Sequence, residues 1–261
     1  IRIPSPYPVK TATKEEWRNR HAYYLLDPDF RKAKQRHPFV VTWDNHDVEY
    51  EGVNRDGSVE AFREWVPMRS NEQDPAFDKI YRKLSYGNLI DLIMMDVHLY
   101  KDQDIISQEG DFSYLGNEQF DWFIDQITNS TAKWRIIGSE KMFGGFYAKG
   151  LPDALPIPRE GDVFSTSSWD GYMLEREKIL KTIRDSAINN VLVLSGDMHF
   201  TTAMNLVVDP FDTLNYNPST GEGAVGAEFL PTSISRGNFD ESGVPSALAS
   251  SFINVLKSIN P

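Results

Sequence analysis

Residues Asn190 to His199 read NVLVLSGDMH. Four branched apolar residues in a row, Val191 to Leu194, are too short for a helix and lack the alternation of a half-exposed strand. They fit a strand buried on both faces. The run ends abruptly on Gly196-Asp197-Met198-His199. Earlier in the chain FVVTWDNHD, residues 39–47, repeats the pattern, with an apolar run from Phe39 to Trp43 stopping on Asp44-Asn45-His46-Asp47. Leu89 to Val97 forms a third such run and Trp134 to Gly138 a short fourth. In α/β sheets ligands gather beyond the carboxyl ends of the strands, which is where both polar clusters fall.

Helical signals alternate with these strands. Thr13-Lys14-Glu15-Glu16 is a capping box for a helix to about Leu25. Asp27-Pro28 starts a second helix that ends before Pro38. Ser58 to Trp65 reads as helical, and another helix is expected to begin at Pro75 and reach Leu84. Gly116 to Thr128 places Phe120, Phe123, Ile124 and Ile127 on one face, and Trp169 to Asp185 directs Ile179, Leu180 and Ile183 inward. A last strand, Gly226 to Leu230, and a helix from about Ser246 to Ile259 close the chain. Residues 144–168, rich in glycine, proline and serine, read as a long loop on the rim of a site. The expectation is one α/β domain over residues 1–261 with sheets covered on both faces.

The chain has 261 residues, a net charge of −11 and no cysteine. The acidic balance offers no basic field for nucleic-acid phosphates, and no stretch approaches the ~18 apolar residues of a membrane span. Asp44, Asn45, His46 and Asp47, with Asp197 and His199, supply hard oxygen and imidazole donors. These suit ions of the calcium, manganese, iron or zinc kind. A polar turn is the alternative for either cluster taken alone. His21, inside a helix, and His37, before Pro38, are poorer ligand candidates.

Longer stretches carry a resemblance. RNRHAYYLLDPDFRKAKQRHPFVVTWDNHDVEYEG (18–52) resembles the segment of the alkaline phosphatase D family that leads into its metal motif. LIDLIMMDVHLYKDQ (89–103), SYLGNEQFDWFIDQI (113–127), WRIIGSEKMF (134–143), SSWDGYMLEREKIL (167–180), NVLVLSGDMHFTTAMNL (190–206) and VGAEFLPTSISRG (225–237) are similar to further family signatures, in the family's order. The resemblance implies a metallophosphatase core of two packed sheets flanked by helices, a four-layer αββα sandwich. It implies hydrolysis of phosphate monoesters or diesters at a site holding two or more metal ions. Iron and calcium are the usual pair, with manganese or zinc also compatible.

By position, Asn45, Asp197 and His199 would be metal ligands, and Asp44 a ligand or a ligand's support. His46 would contact phosphate and assist the leaving group. Trp169 and Asp170 would line the substrate mouth. Asp47 stands where the family has glutamate; His98 and Lys101 stand where it has arginines that grip phosphate. Asn45 replaces an acid. These departures give a second expectation, a catalytically altered or inactive phosphatase-like component of an extracellular assembly. The resemblance also implies a secreted, periplasmic or cell-surface location. An upstream strand ending in Gly-Asp-x-x-Tyr and the closing strands have no counterpart here. The chain is therefore expected to lack its N-terminal and C-terminal strands, with missing ligands supplied by absent sequence or another chain.

Overall fold

The computed structural model describes residues 13–48, 55–68, 79–102, 112–148, 163, 165–234 and 245–260. The chain divides into two compact units, residues 1–80 and residues 81–261.

The first unit is helical among its described residues. Helix α1 (Lys14–Tyr24) begins at the capping box expected of it: Thr13 and Glu16 satisfy each other's backbone N–H groups. Helix α2 (Pro28–Arg36) is capped by Asp27, whose carboxylate accepts from Asp29 N and Phe30 N. Helix α3 (Arg55–Trp65) starts three residues before the expected Ser58. Trp17 of α1 and Ala61 of α3 are wholly buried together. Two ion pairs cross the same contact: Arg18 grips Glu64 with two bonds of 2.6 and 2.7 Å, and Lys14 pairs with Glu60.

Phe39–Trp43 is not a strand. Its apolar side chains are spent singly. Phe39 meets Phe30 edge-on and stays half exposed, while Trp43 is buried against Phe62 with ring centroids 5.6 Å apart. An apolar run satisfied by separate helix contacts needs no ladder.

The second unit is built on one mixed six-stranded sheet. Its strands are β1 (Arg82–Tyr86), β2 (Ile90–Met94), β3 (Trp134–Gly138), β4 (Val191–Leu194), β5 (Thr202–Leu206) and β6 (Gly226–Leu230), in the order β1-β2-β3-β4-β6-β5. The central four are parallel and the two edges antiparallel. Leu84, expected to end a helix, lies in β1; residues 75–78 of that expected helix fall outside the described residues. Strands β1 and β5 are the polar, antiparallel edges that no apolar run announced.

Ile93, Ile137 and Val193 stand in one row across β2, β3 and β4, all wholly buried. Helices α4 (Gly116–Thr128) and α5 (Met173–Asp185) cover this face with Phe123, Ile127, Ile179, Leu180 and Ile183. The opposite face carries the row Leu84, Leu92, Ile136, Leu192. There Tyr86, Trp134, Leu194 and Phe229 are 40–55% exposed. So one face is covered by helices, and the other is apolar and part-exposed among the described residues. The architecture is mixed α/β, with a single sheet among the described residues. Helix α6 (Ser246–Ile259) follows the sheet as expected.

Candidate metal centre

The two polar clusters fall in different units and differ in build. In the first unit Asp44-Asn45-His46-Asp47 is a self-satisfied turn. The Asp44 carboxylate accepts from His46 N at 2.8 Å, and its carbonyl accepts from Asp47 N at 2.9 Å. The Asp47 carboxylate in turn accepts from Asp44 N at 3.0 Å. Burial, with the Asp44 charge beside it, pushes Asp47 up to about 7. The turn leaves the side chains of Asn45 and His46 exposed. The Arg20 guanidinium reaches the His46 carbonyl at 3.4 Å.

In the second unit β4 ends in a strained bend. Asp197 has φ 73° and His199 φ 58°. Left-handed backbone costs a residue with a Cβ roughly 1–2 kcal/mol, and such strain collects at functional sites. The bend is pinned on both sides. Ser139 N donates to Leu194 O at 3.0 Å and Gly196 N to Glu140 O at 3.1 Å, joining it to the segment that follows β3. Thr232 Oγ1 donates to the His199 carbonyl.

That neighbouring segment brings two residues the strand-end reading passed over. Glu140 and Lys141 are both buried, and the Lys141 ammonium lies 2.6 Å from Asp197 Oδ1 and 3.1 Å from Glu140 Oε1. Their signal was present: Trp134–Gly138 is another apolar run that ends on charge. Lys101 belongs to the same group. Burial pulls its ammonium below the ordinary lysine range, against the pull of Glu140 and Asp197 and with the push of Lys141.

His98 is buried, its N–H bound to Asp96 Oδ1 at 2.9 Å. Gln119 of α4 fixes that turn by accepting from Asp96 N and donating to Asp96 O, both at 2.8 Å. Trp169 and Asp170, expected to line the substrate mouth, are both buried. The Trp169 ring is wholly enclosed between Tyr114 and Phe143, and its Nε1 donates to Ser139 Oγ at 3.3 Å. Asp170 pairs with buried Arg176 at 2.6 Å; burial raises the Asp170 carboxyl, and the guanidinium opposes it. Glu228 of β6, with no exposed surface, accepts from Phe143 N at 2.8 Å, Gly144 N at 2.6 Å and Ser195 Oγ. It therefore braces both the segment after β3 and the end of β4. Most of the loop expected over 144–168 lies outside the described residues.

A mixed donor set of carboxylate oxygens and imidazole at one sheet edge fits a hard or borderline metal ion and excludes a thiolate-type site. Within the second unit, Glu140 and Asp197 bring carboxylate oxygens within 4.8 Å of each other, close enough to share such an ion.

The family model described as PhoD-like phosphatase matches residues 2–258. Alkaline phosphatase D of Bacillus subtilis (strain 168) is 32% identical over 251 residues, covering 86% of this chain and 40% of that protein. A solved structure described as "Structure of PhoD" superposes with a TM-score of 0.71 at 29% identity, covering 88% of this chain and 47% of that one. The chain thus spans less than half the length of either relative.

Proposed function

This chain belongs to the PhoD-like phosphatase family, and on that premise we propose that it forms the metal-binding part of a phosphoesterase acting on phosphate monoesters, diesters or both. The observation that carries the reading is the bend at the end of β4, where two non-glycine residues hold left-handed backbone to present Asp197 and His199.

Asp197 and His199 would hold a metal; Asn45, through its amide oxygen, and Asp44 are the ligand candidates that the family resemblance offers by sequence position. A bound ion of the iron, calcium, manganese or zinc kind supplies charge for the phosphoryl oxygens and a water of lowered pKa. His46 protonates the leaving oxygen, a role open to an exposed imidazole on a fixed turn. Asp47 keeps that turn closed. Lys101 and His98 take the place of a two-arginine phosphate grip, with Lys101 as the point charge. The brace of Trp169, Asp170 and Arg176 holds the segment after β3.

The part-exposed face of Leu84, Leu92, Ile136 and Leu192 receives a second sheet, giving the four-layer sandwich. An exposed apolar sheet face of this width is a packing surface. A secreted, periplasmic or cell-surface setting suits the acidic surface.

A second reading, a phosphatase-like component with altered or lost catalysis, draws on one observation: His98 is buried where an arginine would reach phosphate. Two measurements separate the readings. Metal analysis of the purified protein and hydrolysis of chromogenic phosphate mono- and diesters at alkaline pH should both be positive for the first. A folded protein without metal or hydrolysis favours the second.

A further inference from the structure

The Glu140–Lys141–Asp197 group is unusual for a site meant to hold a metal, because one of its carboxylates already has a cation on it. The Lys141 ammonium lies 2.6 Å from Asp197 Oδ1 and 3.1 Å from Glu140 Oε1, with its side chain only 7% exposed. Its position is built, not incidental. Ser139 Oγ donates to the Lys141 carbonyl at 2.6 Å, and Trp169 Nε1 donates to that same hydroxyl. The backbone bonds from Ser139 to Leu194 and from Gly196 to Glu140 fix the lysine's segment against the Asp197 bend. On the other side the segment is held by the Glu228 carboxylate at Phe143 and Gly144.

We propose that Lys141 is a resident counter-cation of this site, so that loading a metal on Asp197 exchanges one bound cation for another and Lys141 sets the affinity of the exchange. This rests on the reading of Asp197 as a metal ligand and adds a specificity-determining residue to it. The physical reason is charge. The Lys141 ammonium offsets one of the two carboxylate charges, in addition to the Lys101 charge nearby; without Lys141 the site is more negative by one charge and the carboxylates repel each other more strongly. A divalent ion entering the site meets the lysine's charge at close range in a largely water-excluded place, where such repulsion is weakly screened. Lysine suits the role because its compact charge sits on a flexible stem that can withdraw.

The test is Mn²⁺ binding to the full chain, followed by electron paramagnetic resonance of the free ion. Lys141→Gln should tighten Mn²⁺ by about tenfold or more, the effect expected for losing a like charge at contact distance. Lys141→Arg, which keeps the charge, should leave the affinity near that of the unaltered protein. A purely structural ion pair predicts otherwise: Lys141→Gln melts lower, with Mn²⁺ affinity unchanged or weaker. That result overturns the proposal, as does a failure of both forms to bind Mn²⁺.

A second measurement needs no variant. Mn²⁺ at saturation should raise acetylation of Lys141 by acetic anhydride, read by peptide mass spectrometry, several-fold over the metal-free protein. Equal labelling with the metal bound contradicts the exchange. Hydrolysis of bis(4-nitrophenyl) phosphate keeps the two ideas apart. Hydrolysis with unchanged affinity in Lys141→Gln discards the lysine's role and leaves the phosphoesterase reading. A gain in affinity without hydrolysis does the reverse.

Discussion

The turn at Asp44–Asp47 and the bend at Ser195–His199 look alike in sequence and are opposites in build. Each follows an apolar run and each offers Asp and His within a few residues. The first spends its carboxylates on its own backbone: Asp44 on His46 N, Asp47 on Asp44 N. It is a relaxed Asx-type turn that would exist without any ligand. The second puts two residues with a Cβ into left-handed backbone and gives its carboxylate to Lys141. A turn that satisfies itself fixes a shape, whereas a bend under strain has to be held, here by Glu228, Thr232 and the pairing with the segment after β3. On the proposed reading the strained bend supplies Asp197 and His199 to the metal, and the relaxed turn supplies His46 for proton delivery beside the ligand candidates Asn45 and Asp44.

Substitutions should break that division unequally. Asp197→Ala is expected to cost the most: metal lost and phosphodiester hydrolysis down by ~10³-fold, the scale of removing a group that stabilises developing charge. Equal metal content in the variant, by plasma emission, would remove Asp197 from the ligand set. His46→Ala should lower turnover by about 10²-fold with the metal kept, since general acid catalysis contributes on that scale. Parallel loss of metal would turn His46 into a ligand and erase the contrast between the two places.

The unit carrying the relaxed turn has a pH dependence of its own. His21 Nε2 is buried with no hydrogen-bond partner among the described residues, and the ring stands edge-on to Phe62 at 5.9 Å. Burial first, then the charges of Lys34 and Arg20, lower its pKa from 6.5 to about 4. A depressed histidine pKa means that the unfolded chain takes up the proton more readily. Its stabilisation is complete above pH 6.5 and is lost as pH falls from 6.5 towards 4, by about 2 kcal/mol once partial exposure is discounted. Asp47, raised from 3.8 to about 7, works in the opposite direction over the same range. The difference between the unaltered chain and His21→Leu therefore isolates the histidine. Urea unfolding followed by Trp17 and Trp43 fluorescence should show a flatter curve between pH 6.5 and 4 in the variant, and identical slopes would discard this account.

Strain itself gives the smallest effect and the sharpest contrast. His199→Gly should raise the unfolding free energy by ~1 kcal/mol by relieving left-handed backbone, while weakening metal binding. Asn45→Gly, in the relaxed turn, should lower stability by about 0.5–1 kcal/mol, because glycine adds freedom to the unfolded chain and relieves nothing. Equal signs for the two would show that the bends differ less than their geometry indicates.

The sequence carried some of this plainly and hid the rest for physical reasons. Helices 14–24, 28–36, 116–128 and 246–259 were legible because capping residues and period are local signals, and β3 because its apolar run is short and bounded. Strands β1 and β5, RKLSY and TAMNL, were not. They are edges whose only credential is a partner strand, and pairing is not written in a five-residue window. Phe39–Trp43 failed the other way, an apolar run whose side chains pack one by one onto helices. In the candidate site, Asp197 and His199 were singled out by position and sequence likeness, and their left-handed backbone, shared with Ala187 and Asn190, is a property no residue pattern announced. Glu140 and Lys141 were within reach of the same strand-end rule. The supporting roles of Trp169 and Glu228 depend on hydrogen-bond partners 30 to 85 residues away and could only come from the structure.

The central claim is that the strained bend holds a metal, and anomalous scattering tests it most directly. Crystals of the protein grown with Mn²⁺ and measured near the manganese edge should show a peak within about 2.0–2.6 Å of an Asp197 oxygen and a His199 ring nitrogen, the range for such ligands. A fully occupied peak elsewhere, or no peak at these residues with Lys141 still on Asp197, would contradict it.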